Sequence, residues 1–274
     1  MNMFKKFFTV LETRLVPPRL SLWRTIYFNF RTQPFSVAIK FPIYIYGRVH
    51  FPMLAGTVQI NAPIYRGMIK IGKQDPFCAT TGQGFVSVSP NAKLIFNGPC
   101  HISTNVCLRL FSGEMVLGKY LLFGSCIKAV LNGRKIVIED YTRIAFQTVI
   151  VNSSFHSVVD MEKLTISPHI RDIIIGSKCW IGNNSTISGG AMLKDGTIVG
   201  AGSYVNKDFT KQEENHQMIA GRPAKLLKSG LSRIWSPELE MKIIKWFESH
   251  PEGKQYQLDS LDQDDINEIE KEYK

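Results

Sequence analysis

The sequence has few cysteines, and their spacing suggests neither a metal site nor a disulfide framework. The five cysteines, at positions 78, 100, 107, 126 and 179, include no Cys-x-x-Cys pair, which excludes the usual zinc-binding spacing. Their odd number and wide separation favour buried thiols in a reducing compartment. We therefore expect a cytoplasmic protein with no bound metal.

Long apolar runs are also missing. After Lys5 and Lys6 the apolar run extends only from Phe7 to Leu11 before Glu12 interrupts it, which is too short for a secretory signal. No uncharged run approaches the roughly twenty apolar residues that a transmembrane helix requires. The sequence therefore predicts neither a cleaved leader nor a membrane-spanning helix.

Acidic residues are scarce near the N-terminus. Residues 1–50 carry eight basic side chains and one acidic one, Glu12, whereas residues 231–274 carry eleven acidic and six basic ones. The basic and aromatic residues of 1–41 fit an appendage that rests on an anionic membrane surface or on a polyanionic saccharide. They also fit one that packs on the rest of the fold and on a neighbouring subunit. No module typical of nucleic-acid binding is present.

The segment from Ile173 to Phe209 repeats with a period of six, which fits neither an α-helix nor simple strand alternation and is typical of a parallel β-helix. A small residue and the next aliphatic one lie two apart on a short strand, so both point inward. The aliphatic positions are Ile175, Ile181, Ile187, Leu193, Val199 and Val205, and the small ones are Cys179, Ser185, Ala191, Thr197 and Ser203.

The same pattern, less regular, extends towards the N-terminus as far as Pro42 and predicts a mainly β protein. We expect the β-helix to span residues 42–230, with an N-terminal appendage at 1–41 and a helix and acidic tail at 231–274. Ser236, Pro237 and Glu238 form a typical helix start. The apolar stripe of that helix is expected to pack on the β-helix, on a neighbouring subunit or on a partner, and it consists of Leu239, Ile243, Trp246 and Phe247.

These residues resemble the hexapeptide-repeat acyltransferases. The resemblance rests on the sequences IGSKCWIGNNSTI and VGAGSYVNKDF and on AGRPAK at Ala220–Lys225, which is similar to the AG-x-PAK element that closes the β-helix in sugar and xenobiotic O-acetyltransferases. It implies a left-handed parallel β-helix with three hexads in each coil. It also implies a homotrimer.

The repeat stops after Ile150 and resumes at Ile173, which predicts a loop at about 151–172. In the resembling family a histidine at the start of such a loop is the general base, and His156 occupies the matching place. An imidazole with an ordinary pKa near 6.5 is mostly neutral at pH 7 and can accept a proton from an alcohol. Asn152 and Ser154 stand where sugar-modifying relatives often have acidic residues. Asn152 is therefore expected to orient the ring only by a hydrogen bond, and the base is expected to be weaker or to be oriented by a main-chain carbonyl.

The resemblance also implies acetyl-CoA as the acyl donor, lying along the outside of the last coils. Basic side chains suit its phosphates, and main-chain groups suit its pantetheine arm. The expected contacts are Trp180 and Asn183 near the thioester, Ala201 and Gly202 beside the arm, and Lys207, Arg222 and Lys225 near the phosphates. Gly189 and Gly190 are expected to form a tight corner.

The predicted function is acetyl-CoA-dependent O-acetylation of a sugar hydroxyl in surface polysaccharide biosynthesis, in the cytoplasm or at the inner membrane surface. A small-molecule acceptor such as serine, an antibiotic or an amino sugar is an alternative. Two further alternatives are a γ-carbonic-anhydrase-like metalloprotein, for which His101, His156 and His169 are the candidate ligands, and a trimeric scaffold without activity.

Overall fold

The hexad positions form the interior of a parallel β-helix in the computed structural model, which describes residues 18–75, 78, 80, 82–211, 215–258, 269–270 and 273. All six predicted aliphatic side chains are at most 2% exposed, and all five small ones are at most 1% exposed. The mainly β fold and the inward direction of both hexad positions are therefore confirmed.

The strands up to the loop are β1 (Ile43–Ile45), β2 (Val49–His50), β3 (Thr57–Ile60), β4 (Ile69–Lys73), β5 (Gly84–Phe96), β6 (Cys100–Ser103), β7 (Cys107–Leu117), β8 (Leu121–Phe123), β9 (Lys128–Ile138), β10 (Arg143–Ile144) and β11 (Val149–Val151). The loop contains β12 (Val159–Asp160) and β13 (Thr165–Ile166). After it come β14 (Ile173–Ile175), β15 (Trp180–Ile181), β16 (Thr186–Ser188), β17 (Met192–Leu193), β18 (Ile198–Val199), β19 (Tyr204–Val205), β20 (Met218–Gly221) and β21 (Ala224–Lys228).

Each coil contributes to three faces. The first face is a sheet in the order β1-β4-β6-β8-β10-β15-β18-β20-β21, parallel except for the last pair. The second face carries β2, β11, β16 and β19, and the third carries β3, β14 and β17. The long strands β5, β7 and β9 bend and take part in both the second and the third face, so these two faces form one sheet.

The corners explain why small residues follow at a fixed offset. The hydroxyls of Thr142, Thr197 and Ser203 donate to corner carbonyls, at 2.8 Å for Thr142 to Gly176 O and 2.7 Å for Thr197 to Lys194 O. A larger side chain would not leave room for these short contacts. At the corner between the first and second faces, one residue in each of five successive coils has a positive φ: Asn105, Cys126, Gln147, Asn184 and Gly202.

The described part of the N-terminal appendage, residues 18–41, contains two helices, α1 (Leu22–Thr32) and α2 (Phe35–Ala38). Of α1, the residues Thr25, Phe28 and Asn29 are buried against the first coil, in agreement with packing on the β-helix. Residues 1–17 of the predicted appendage lie outside the described residues. Among the described helices, none is both long enough and apolar enough to cross a membrane.

The predicted C-terminal helix is present as α3 (Pro237–Ser249), and the Ser236 side chain caps it by accepting from Leu239 N at 3.2 Å. None of its residues is fully buried. The apolar stripe is partly exposed in this chain, and the surface on which it packs, whether the β-helix, a neighbouring subunit or a partner, stays a prediction. Most of the acidic tail, 259–268, lies outside the described residues.

Tyr273, near the end of the chain, packs on the outward side of the first face. It is 1% exposed, its hydroxyl donates to Leu121 O at 2.7 Å, and its ring stacks on His101 with centroids 4.1 Å apart. Glu270 accepts from the hydroxyl of Tyr141 at 2.8 Å. These contacts attach the end of the chain to the middle of the β-helix.

Candidate functional site

The predicted loop leaves the β-helix at the corner between the second and third faces, after β11, and returns at β14. Its base is held like a hairpin, because Arg171 N donates to Asn152 O at 3.0 Å and Ser154 N donates to His169 O at 3.1 Å. At its tip β12 and β13 pair antiparallel. The loop is thus a two-stranded stalk, and we call residues 152–172 the stalk.

Both ends of the stalk are attached to the bend of β9. The carboxylate of Asp172 pairs with Arg134 at 2.9 and 3.1 Å and accepts from Lys135 N at 3.0 Å. The hydrogen bonds from Arg134 hold the pKa of Asp172 below its usual value. The other end is fixed by the side chain of Asn152. These contacts place the stalk in one position relative to the coils.

His156 lies on the outgoing segment of the stalk, before β12, and is exposed to solvent. The backbone around it is fixed, since Ser154 Oγ donates to His156 O at 2.9 Å and the Phe155 ring contacts Phe111 with centroids 5.9 Å apart. A second histidine, His169, lies on the returning segment of the stalk, after β13. The structure therefore presents an accessible imidazole on a well-held backbone, which is what a general base requires.

Asn152 lies at the foot of the stalk and points into the β-helix. It is fully buried, its Oδ1 accepts from Asn132 N at 2.9 Å, and its Nδ2 donates to Gly133 O at 2.8 Å. In the described part of the chain, neither Asn152 nor Ser154 contacts the ring of His156. The structure thus gives Asn152 the role of an anchor for the stalk, which differs from the predicted orientation of the imidazole.

The stalk corner also contains a cation that the sequence did not indicate. Gly190 has φ +94, and a Cβ there would lie 3.0 Å from Nη1 of Arg171. A Cβ at Gly189 would lie 2.6 Å from Asn152 O. The two glycines therefore form the expected tight corner. Arg171 at the foot of the stalk was missed because it is one exposed cation in a non-repeating stretch.

Three of the predicted donor contacts lie together at the corner between the first and second faces. Gly202 N donates to Asn183 O at 2.8 Å, and Ala201 stands beside them on the same edge. A Cβ on Gly202 would have no neighbour within 4 Å, so this edge is open to a ligand. Such an open edge suits a long, thin chain such as pantetheine.

Arg222 and Lys225 extend this edge beyond the last coil. They lie on the β20–β21 hairpin, where Gly221 N donates to Ser203 Oγ at 3.2 Å. Both side chains are exposed. In the described part of the chain neither of them forms an ion pair, so their charge is available to an anion. We call Asn183, Ala201, Gly202, Arg222 and Lys225 the donor edge.

Lys207 does not belong to the donor edge. Its carbonyl accepts from Met192 N at 3.3 Å, and its Nζ lies 5.1 Å from the centroid of the Phe209 ring. These contacts place it at the corner between the second and third faces, above the foot of the stalk. A single chain does not bring Lys207 together with Arg222 and Lys225, because they occupy different corners.

Trp180 is also separated from His156. It lies on the outward side of the first face, 41% exposed, next to Arg143 and Ile198 in the sheet register. The guanidinium of Arg233 lies 5.6 Å from the centroid of its ring. A single chain therefore does not bring Trp180 and His156 together.

The three candidate metal ligands are placed differently. His101 is on the first face, where burial and then the charges of nearby Lys70, Lys73 and Arg143 lower its pKa to about 3. His156 and His169 are on the stalk. The described residues contain no group of three or more His, Cys, Asp or Glu side chains that could hold a metal ion.

Comparison with known proteins identifies the repeat. Residues 172–207 match the family described as bacterial transferase hexapeptide, with six repeats. A protein from Lysinibacillus sphaericus described as a probable macrolide acetyltransferase is 30% identical over 120 residues, which are 43% of this chain and 62% of that protein. A protein of Escherichia coli K12, provisionally named lipopolysaccharide biosynthesis O-acetyl transferase WbbJ, is 31% identical over 124 residues, 43% of this chain and 59% of that protein. The matches thus span about three fifths of the length of these relatives.

A solved structure shows the same architecture. The polySia specific acetyltransferase NeuO superposes with a TM-score of 0.51 over 80% of this chain and 91% of its own, at 18% identity. At that identity the likeness shows the fold alone. The resemblance to hexapeptide-repeat acyltransferases and the left-handed parallel β-helix are both confirmed.

Proposed function

We propose that this chain, with its transferase hexapeptide repeat, is an acetyl-CoA-dependent O-acetyltransferase that acts on a sugar hydroxyl in polysaccharide biosynthesis. The observation that carries the proposal is the stalk, which interrupts an otherwise continuous β-helix to present His156 on a fixed backbone. Support for the acceptor comes from the relative named for lipopolysaccharide biosynthesis. The donor is supported by the open donor edge, which ends in two cations, Arg222 and Lys225, that form no ion pair with the described residues.

In this proposal His156 is the general base. Its imidazole takes the proton of the acceptor hydroxyl while the oxygen attacks the thioester carbonyl, and it returns the proton to the leaving sulfur. Asn152 and Asp172 act indirectly by fixing the stalk. Arg222 and Lys225 bind the phosphates of the donor, since cations beside phosphate oxygens form charge-assisted hydrogen bonds.

The site would be completed between subunits of a homotrimer. The stalk and the donor edge lie at different corners of one chain, so a second chain has to supply one of them. Large apolar side chains on the stalk are strongly exposed in the isolated chain, which favours burial against a neighbour: Val158 75%, Met161 77%, Leu164 78% and Ile166 63%.

The direct test is acetyl transfer by His156→Ala. The rate constant kcat should fall by about 10²–10⁴-fold, while acetyl-CoA affinity stays near that of the wild type. His169→Ala is the matched control, because His169 lies on the same stalk and should keep most of the activity. If the control loses activity and His156→Ala does not, the base is His169.

Subunit mixing tests the shared site. Trimers assembled from His156→Ala chains and Arg222→Ala/Lys225→Ala chains should regain activity, because some sites would combine an intact stalk with an intact donor edge. No recovery in verified mixed trimers would contradict a site shared between chains.

A comparison of acceptors by mass spectrometry tests the sugar acceptor, with saccharides, serine, an amino sugar and a macrolide as the candidates. Transfer to serine or the macrolide alone would contradict the sugar acceptor.

A further inference from the structure

Helix α1 closes the open edge of the first strand with polar side chains. Asn29 behaves like a strand backbone, since its Nδ2 donates to Ile43 O at 2.6 Å and its Oδ1 accepts from Ile43 N at 3.2 Å. Thr25 Oγ1 accepts from Ile45 N at 3.0 Å. An unpaired edge of β1 would otherwise be a site for unwanted strand pairing. The inward face of α1 is therefore largely polar, with Phe28 as its one fully buried apolar side chain.

The outward face of α1 is apolar. In an amphipathic helix of an ordinary globular domain the apolar face points to the core and the polar face to water. Here the arrangement is reversed, and the exposed side chains continue onto α2 and the residue after it. They are Leu22 67%, Trp23 82%, Ile26 39%, Tyr27 52%, Phe30 44%, Phe35 73% and Ile39 47% exposed. We call this set the outer patch.

The surroundings of the outer patch are positively charged. On the wheel of α1, Arg24 and Arg31 border the apolar face on one side, and Lys40 follows α2. Between Glu12 and Asp75 the sequence contains nine Lys and Arg residues and no acidic residue. Both an acidic protein surface and an anionic lipid surface would be complementary to this positive charge. The size and the aromatic content of the outer patch favour the lipid.

We propose that the outer patch binds the surface of an anionic phospholipid bilayer. Tryptophan and tyrosine are enriched at membrane interfaces because their rings are apolar and their N–H and O–H groups remain hydrated. A helix with an apolar face and flanking cations lies in the plane of the interface, with its apolar face at the boundary of headgroups and acyl chains. The proposal does not depend on the acyl-transfer activity.

Vesicle sedimentation of the full chain tests this proposal. Wild-type protein is mixed with vesicles of phosphatidylglycerol and phosphatidylcholine, or of phosphatidylcholine alone, at low and high salt. The variant Trp23→Ser/Phe30→Ser removes two outward aromatic rings without touching the inward face. The matched control is Met241→Ser/Ile244→Ser on α3, where the two side chains are 52% and 46% exposed.

The wild type and the control should sediment with phosphatidylglycerol vesicles, and salt should weaken this binding because it screens the charges. The aromatic variant should bind these vesicles at least about tenfold more weakly than the wild type, because it buries less apolar surface in the bilayer. No binding by the wild type at low salt, or equal binding by the aromatic variant, would overturn the proposal. It would also be overturned if the aromatic variant changed the oligomeric state and left vesicle binding intact, since the patch would then be an interface between copies.

Discussion

Replacing Asn152 with alanine tests whether the stalk must be anchored for the reaction to occur. The side chain is fully buried and joins the foot of the stalk to the bend of β9 through Asn132 N and Gly133 O. Alanine removes both hydrogen bonds and leaves the backbone of the stalk unchanged. The contact between Asp172 and Arg134 would then be the main attachment of the stalk to β9.

The size of the loss in stability follows from the exposure of Asn132 N and Gly133 O, the two groups that lose their hydrogen-bond partner. A buried polar group left without a hydrogen bond costs about 1–3 kcal/mol. Asn132 and Gly133 are half-buried, so water can reach them and each cost falls at the low end. We expect Asn152→Ala to lower the free energy of unfolding by about 2 kcal/mol. We also expect kcat to fall about tenfold or more, because a small displacement of a catalytic group slows the reaction strongly.

The variant Asn152→Asp adds a dependence on pH. An ionised carboxylate can accept from Asn132 N but cannot donate to Gly133 O, whereas a protonated one can do both. Burial and the facing carbonyl would therefore raise the folded-state pKa of this carboxyl above about 3.9. The stabilisation of the folded state by this bound proton is fully present below the unfolded-state pKa, and it is lost as the pH rises through the folded-state pKa. The deficit relative to the wild type should thus be small near pH 4 and large at pH 7.

Urea unfolding followed by circular dichroism, at one protein concentration, measures these changes. The control is Asn61→Ala, since Asn61 is exposed and its amide bonds only to exposed side chains. Asn61→Ala should change the free energy of unfolding by no more than about 0.5 kcal/mol. An unchanged urea midpoint for Asn152→Ala would refute the anchor. A lower midpoint with an unchanged kcat would show that the anchor serves folding alone.

Three further predictions concern other parts of the chain. The double variant Arg222→Ala/Lys225→Ala should weaken acetyl-CoA binding by roughly 1–3 kcal/mol in calorimetry, whereas Lys254→Ala on the exposed tail should not, and equal affinities would contradict the donor edge. Tyr273→Ala should reduce the free energy of unfolding by about 3 kcal/mol in urea, since a buried aromatic ring is lost, and an unchanged value would mean that the end of the chain does not dock. The pKa of His101 is lowered to about 3 in the folded chain, so as the pH falls the unfolded chain binds a proton at this residue before the folded chain does. Thermal stability should therefore decline as the pH falls from about 6.5 towards 3. His101→Gln should reduce this decline, and a pH profile identical to that of the wild type would argue against this role of His101.

The interior of the fold was predictable from the sequence because each hexad fixes which side chains point inward. The same parity applies to Asn152, which lies two residues after the inward-pointing Ile150 and is therefore buried. Its role as an anchor could have been inferred from this position. The expectation that it orients His156 came from the resemblance and did not consider the direction of the side chain.

For other residues, the surrounding sequence does not indicate where they lie in the fold. Lys207 and Arg222 are only fifteen residues apart in sequence, and the step from Val205 in β19 to Ile219 in β20 is not a multiple of six, so the hexad spacing did not show which corner Arg222 occupies. Tyr273 reaches Leu121 across 152 residues of sequence, and no periodicity predicts such a contact. The reversed amphipathicity of α1 was also hidden, since a sequence pattern shows that a helix has two faces but not which face meets the core.

The two proposals place two functions at opposite ends of one sheet. In the first face β1 is the first strand and β21 the last, so the outer patch beside β1 and the donor edge beside β20 and β21 are separated by the whole sheet. A chain that rests on lipid through α1 would hold Arg222 and Lys225 away from the anionic surface. This orientation favours capture of a negatively charged donor from solution, since the donor would not compete with lipid phosphates for the same cations. The stalk, which leaves the β-helix after β11, lies between these ends.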